Sequence, residues 1–198
     1  PSNVMYASRL IECFPEAKII HIVRDGRSVA SSIMPLDLGP NTIIEATHWW
    51  TRNMAYNLAA ESFLGPNRIK RIRYEDLVCH PEITLKKLCS FLDIDYQPAM
   101  AKGSGFKVPA YSMRQHFFVG KEPNMALVNA WEKRLTPRQI EIFENLTFDF
   151  LSYFGYQLKY GLNARDVTKV ELIVSIFWDL YMQMINKFRL CYRIHKFI

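Results

Sequence analysis

Disulfide staples, metal-binding spacings, low-complexity tracts and membrane-length apolar runs are all missing from this 198-residue sequence. Its four cysteines, Cys13, Cys79, Cys89 and Cys191, form no Cys-x-x-Cys pair and lie too far apart for a zinc knuckle. A chain of this length needs no disulfides to build a core, so they read as free, mostly buried thiols of a reducing compartment, and a cytoplasmic location is expected. Glycine and proline are scarce, 8 and 10, against 49% hydrophobic and 14% aromatic residues, which excludes disordered and fibrous classes. No apolar run reaches the roughly 18 residues of a spanning helix; the nearest approach, Val170 to Ile185, is interrupted by Glu171 and Asp179. Pro1 is followed by neither a basic nor an apolar leader region, so no signal peptide is expected and further residues are expected upstream.

Charge is present but thinly spread. The 25 Lys and Arg exceed the 19 Asp and Glu by six, and three of those six net charges fall in residues 167–198. This balance is too sparse for a nucleic-acid stripe and points instead to anionic small molecules or a membrane surface.

Periodicity then gives an order of elements. Ser2 to Phe14 has helical spacing and stops before Pro15; Lys18 to Val23 (KIIHIV) predicts a buried strand; Arg27 to Met34 predicts a helix stopped by Pro35. Thr42 to Leu64 is a longer helix closed by Gly65 and Pro66, and Arg68 to Arg73 (RIKRIR) is a second, weaker strand. Pro81 opens a helix with Leu85, Leu88, Cys89 and Leu92 on one face. Residues 97–130 predict a basic loop region, Thr136 and Pro137 start a helix to about Phe154, and Asp166 is the expected cap of an apolar helix to about Ile194. Strands alternating with helices imply an α/β parallel sheet wound by helices. Two strands are too few for a stable sheet, so the chain is expected to be the later part of a larger domain.

Chemistry concentrates after the first strand, at Arg24 to Ser32 (RDGRSVASS). In open parallel sheets ligands sit beyond the strands' carboxyl ends. Asp25 and Gly26 make the turn, Ser28 and Ser32 stand four apart on the following helix, and a helix N-terminus beside an arginine suits phosphate. The same stretch also reads as an ordinary strand-to-helix turn in which Asp25 caps and Arg24 and Arg27 pair with carboxylates.

The spacing of Arg24 and Ser32 resembles the 3'-phosphate motif of sulfotransferases that use 3'-phosphoadenosine-5'-phosphosulfate (PAPS). Ser8 to Met34, Trp50, Arg73 to Ile94 (RYEDLVCHPEITLKKLCSFLDI), Val119 to Pro137 and Phe154 to Tyr156 follow in the order of the tyrosylprotein-sulfotransferase-like and bacterial branch. The resemblance implies a P-loop-NTPase-like fold and a partial sulfotransferase domain over 1–160, with a helical tail over 161–198. It implies that Arg24, Ser32 and Ser28 hold the 3'-phosphate, that Tyr74, at the end of the second strand, lies against the adenine, and that Lys121 and Lys133 approach phosphate or sulfate. Ala130 stands where relatives often carry a basic residue before Trp131. Trp50 and Trp131 are expected in the core, and Glu75 and Asp76 as caps of a turn. The N-terminal strand, the 5'-phosphosulfate loop and the catalytic base have no counterpart in the sequence, and in relatives they lie upstream of the position matching Pro1. No base is assigned, since none of His21, His48, His80 and His116 sits beside a paired carboxylate pattern, and the 198-residue chain alone is expected to be inactive and marginally stable.

The implied reaction is transfer of a sulfuryl group from PAPS to an acceptor hydroxyl or amine, leaving 3'-phosphoadenosine-5'-phosphate, with no metal needed. Peptide tyrosine, carbohydrate and lipid acceptors all remain open. A P-loop nucleotide kinase and a non-catalytic nucleotide-binding or interaction domain are the competing readings. The tail is expected to pack on the domain, to pair with a second copy, or to touch a membrane surface.

Overall fold

The computed structural model describes residues 2–37, 39–102 and 124–196, with the backbone alone at residues 2, 3 and 190–196. Lys121, His116 and most of the expected basic loop lie outside the described residues. The chain divides into two compact units, one of residues 1–24 and 52–128, the other of residues 25–51 and 129–198.

The first unit holds the sheet. A 3-10 turn over Ser2–Tyr6 leads into α1, Ala7–Cys13, so the first predicted helix is tighter at its start than expected. β1, Ile19–Val23, pairs in parallel with β2, Ile69–Arg73, in the register Ile19↔Ile69 through Val23↔Arg73. KIIHIV predicts a strand buried on both faces; instead His21 and Val23 are buried while Ile20 and Ile22 are exposed. A continuous apolar run cannot say how many faces are covered, and among the described residues β2 is the only strand beside β1. Ala7, Ala60 and Ile69 form a small buried cluster with Val4, Ile19 and Leu64 packed on it. Tyr74–Cys79 is α4 rather than the last residues of a strand, so Tyr74 opens a helix instead of closing β2. Glu75 and Asp76 sit inside its first turn, and Asp76 contributes its carbonyl, accepting from His80 N at 2.8 Å and Thr84 Oγ1 at 3.1 Å. α5, Pro81–Leu92, buries Thr84 and Cys89 and ends at Asp93, whose left-handed φ of 58° is anchored by Lys18 donating to its carboxylate. Of the three cysteines with described side chains only Cys89 is buried, and Cys13 is exposed, which corrects the expectation of mostly buried thiols.

The second unit is helical. It contains α2, Gly26–Ile33, the first part of α3, Ile43–Leu64, then α6, Trp131–Arg134, α7, Pro137–Tyr153, and α8, Lys169–Lys196. Thr136 and Gln139 form the reciprocal capping box that Thr136-Pro137 promises, with Gln139 N donating to Thr136 Oγ1 at 3.2 Å and Thr136 N to Gln139 Oε1 at 2.9 Å. Its core is aromatic: the Trp50 ring meets Phe143, Phe150 and Phe154 at centroid distances of 5.6, 6.2 and 6.3 Å. Trp50 and Trp131 are both buried, as expected of core residues.

The start of α8 is capped by Thr168, not Asp166. Glu171 N donates to Thr168 Oγ1 at 3.2 Å while Thr168 N donates back to Glu171 Oε2 at 2.8 Å, and Asp166 instead accepts from Asn145 and Arg138. Arg138 donates to both Glu141 and Glu171, and Arg165 to Glu141. Hydrogen bonds from the Arg165 side chain and backbone, then from Arg138, bring Glu141 down to about 2, and Arg138 with Thr168 brings Glu171 down to about 2.

Candidate functional site

The parallel register decides which residues meet at the strand ends. Because Val23 stands opposite Arg73, the next residues on each strand, Arg24 and Tyr74, emerge side by side at the carboxyl end of the sheet. The Arg24 guanidinium lies over the Tyr74 ring, 4.3 Å from its centroid. Both side chains are half-buried, and Arg24 Nε is shielded from solvent without a hydrogen-bond partner among the described residues. A buried guanidinium N–H left unmade costs about 1–3 kcal/mol or more, so this arrangement favours an anion or polar acceptor reaching it.

One residue further on, in the second unit, Asp25 Oδ1 accepts from Arg27 N at 2.9 Å and caps α2. Arg27 is 2% exposed, and its donors are directed to protein groups. Nε and Nη2 bond Asp25 at 3.0 and 2.7 Å, Nη1 bonds Glu144 at 2.5 Å, Nη2 bonds the Gln157 carbonyl at 2.9 Å, and the guanidinium lies 4.0 Å from the Trp131 ring centroid. Burial works against its charge, but Asp25 and Glu144 outweigh that, so its pKa is raised. Glu144 is 0% exposed and also accepts from Lys159 N, Tyr160 N and Gly161 N at 2.9, 2.7 and 3.2 Å. Gly26 is required by packing: a Cβ there would stand 2.4 Å from Phe143 and 2.7 Å from Trp50. Arg27, with no role in the sequence reading beyond pairing, is therefore a structural keystone of the turn, joined to a carboxylate 117 residues away.

The two expected serines fare differently. Ser28 is 2% exposed, whereas Ser32, one turn further along α2, is exposed. Arg24 belongs to the first unit and both serines to the second. Lys133 is exposed on α6.

Sequence spacing hides one cluster altogether. The buried His21 donates or accepts through Nδ1 to Glu61 Oε1 at 2.6 Å, and Arg71 Nε donates to the same oxygen at 2.9 Å. His21 sits beside one carboxylate that no sequence spacing shows, since Glu61 is 40 residues away on α3. Burial lowers the imidazole pKa more than Glu61 raises it, and although burial pushes Glu61 up, Arg71 and His21 hold it below the ordinary carboxylate value. The His21–Glu61 hydrogen bond is a strand-to-helix tie within the first unit. A separate cavity of about 520 Å³ lies along β2 and α5, lined by Lys70, Arg73, His80 and Lys87 among others, and neither Arg24 nor Tyr74 lines it.

Known proteins resemble both the sequence and this architecture. Residues 1–98 match the profile of the sulfotransferase family. The chain is 31% identical over 115 residues to the protein-tyrosine sulfotransferase of Drosophila melanogaster, covering 50% of this chain and 21% of that protein. It is 29% identical over 102 residues to carbohydrate sulfotransferase 7 of Rattus norvegicus, covering 48% of this chain and 20% of that protein. The aligned stretch thus spans about a fifth of the length of these relatives. Among solved structures, the sulfotransferase domain from the curacin biosynthetic pathway superposes with a TM-score of 0.64 at 23% identity, over 80% of this chain and 61% of that one. The sulfotransferase domain from the Synechococcus PCC 7002 olefin synthase superposes with a TM-score of 0.61 at 25% identity, over 77% and 56%. The parallel sheet wound by helices is that of these domains, whose fold is P-loop-like α/β, and with the matched profile it makes the chain a member of the sulfotransferase family.

Proposed function

We propose that this chain supplies the 3'-phosphate end of a nucleotide site in an enzyme that moves a sulfuryl group from PAPS to an acceptor hydroxyl or amine. The observation that carries the reading is Arg24, a half-buried guanidinium at the carboxyl end of β1 whose Nε lacks a hydrogen-bond partner among the described residues and which lies over the Tyr74 ring. Arg24 would fix the 3'-phosphate through charge-assisted hydrogen bonds, and Tyr74 would offer a face to the base, an interaction worth about 1–3 kcal/mol in aromatic–base stacking. Ser32, exposed on α2, and Ser28, buried there, enter on the family resemblance. Lys121 enters on the family resemblance alone.

PAPS, as co-substrate, supplies an activated sulfuryl group and a stable nucleotide leaving group. The residues named act away from the reacting centre: they orient the nucleotide, so their contribution is positioning. The relatives are named for protein tyrosine and for carbohydrate, and both contain hydroxyl acceptors; the proposal extends to hydroxyl acceptors as a class. A cytoplasmic location belongs to the proposal on the sequence ground of free thiols.

The test is calorimetric titration of the protein with 3'-phosphoadenosine-5'-phosphate and with 5'-AMP. Binding of the first about ten- to hundredfold tighter is expected, the value of one charge-assisted anchor. Equal affinities contradict the reading, and tighter 5'-AMP binding favours the nucleotide-kinase alternative.

A further inference from the structure

α8 is seated with its polar side inward. Ser175, Asp179 and Asn186 are 6%, 5% and 4% exposed. They dock on the segment before α3: Ser175 Oγ shares a hydrogen bond with Thr42 Oγ1 at 2.6 Å, Asp179 Oδ1 accepts from Asn41 N at 2.6 Å, and Asn186 Nδ2 donates to Asn41 Oδ1 at 3.2 Å. Arg138 holds Glu171 at the start of the helix. These contacts fix the helix's rotation, and they leave its apolar side outward. Ile173, Val174, Phe177, Trp178, Tyr181 and Phe188 are all exposed, Phe177 by 69% and Phe188 by 72%. An amphipathic helix on a protein surface ordinarily turns that side to the core, and a contiguous apolar face of this kind marks an interaction site.

Charge chooses the occupant. The helix carries only two carboxylates, Glu171 and Asp179, and both are engaged within the unit, Asp179 also by Gln183 Nε2 at 2.6 Å. The remaining charges of the helix are Lys169, Lys187, Arg189, Arg193 and Lys196, all positive and mostly toward its C-terminal end, with Arg189 3.8 Å from the Asp37 carboxylate. A second copy of the same helix would bring an excess of cations with no free carboxylate on the helix to receive them. A surface of anionic phospholipid supplies both an apolar interior and negative headgroups, and Trp178 and Tyr181 suit the boundary between them. No helix among the described residues is long and apolar enough to cross a membrane, so the fit is for a helix lying in the surface.

We propose that the outward face of α8 docks this protein onto an anionic lipid surface, with Phe177, Trp178 and Phe188 inserted and Lys187 near the headgroups. The proposal stands independently of the nucleotide reading. It is tested by sedimenting the full chain with vesicles of phosphatidylcholine plus phosphatidylglycerol and with vesicles of phosphatidylcholine alone. Binding at least about tenfold stronger to the anionic vesicles, and weakened by salt, is expected. The double variant Phe177→Gln, Trp178→Gln should lose about a hundredfold in partition while its circular dichroism and denaturation midpoint stay at the wild-type values, because both side chains are exposed. Absence of vesicle binding by the wild type, or undiminished binding by the folded double variant, overturns the proposal. So does a wild-type dimer in analytical ultracentrifugation that the double variant dissolves, which would assign the face to a second copy.

Discussion

Arg24 and Arg27 are the same residue type three positions apart, and they have opposite surroundings. Arg27 is closed in by Asp25, Glu144, the Gln157 carbonyl and the Trp131 ring. Arg24 rests on one aromatic ring and keeps a buried N–H without a partner among the described residues. The difference separates two uses of a guanidinium. One whose hydrogen bonds go to the protein ties elements together, and one that rests on a ring with an unmade N–H is open to a further acceptor. Both lie in RDGRSVASS; the structural-turn reading of this stretch describes Arg27, and the proposed phosphate site rests on Arg24.

Substitutions should break the two arginines in different observables. Arg27→Ala strands Glu144 and Asp25 in the second unit without their cation, and breaking a buried pair this way costs about 3–5 kcal/mol; urea denaturation should show the midpoint falling steeply or the protein failing to fold. A midpoint near wild type would mean the buried network contributes little. Gly26→Ala drives a methyl into Phe143 and Trp50, an overpacking expected to cost about 1–3 kcal/mol in the same measurement. An unchanged midpoint there would show that the aromatic core can yield. Arg24→Ala should have the smallest effect on stability, below about 1 kcal/mol, since it removes a cation–π contact and relieves an unmade hydrogen bond.

How much of this could be read in advance depends on the distance between partners. The elements were legible where signals are local: the β-branched run of β1, the Thr136–Pro137 start of α7 and the Pro81 start of α5 appear where expected. Arg24 beside Tyr74 was half legible, since both were expected at strand ends but only the parallel register places them next to each other. Arg27 with Glu144, and His21 with Glu61, were illegible because their partners are 117 and 40 residues away and no spacing rule links them. α8 shows a different limit. Periodicity identifies the apolar stripe, but it is indifferent to half a turn of rotation; hydrogen bonds from residues 41 and 42 decide that the stripe points out.

The central claim is that Arg24 reads a 3'-phosphate. The most direct measurement is the ratio of affinities for 3'-phosphoadenosine-5'-phosphate and 5'-AMP in wild type, Arg24→Ala, Arg24→Lys and Ser32→Ala, with denaturation midpoints taken in parallel. The ratio should fall about ten- to hundredfold in Arg24→Ala, recover in part in Arg24→Lys because an ammonium lacks the planar fork, and fall only a few-fold in Ser32→Ala, all at near-wild-type midpoints. A ratio unchanged in a stably folded Arg24→Ala protein would contradict the account and leave Arg24 as a strand-end residue stacked on Tyr74.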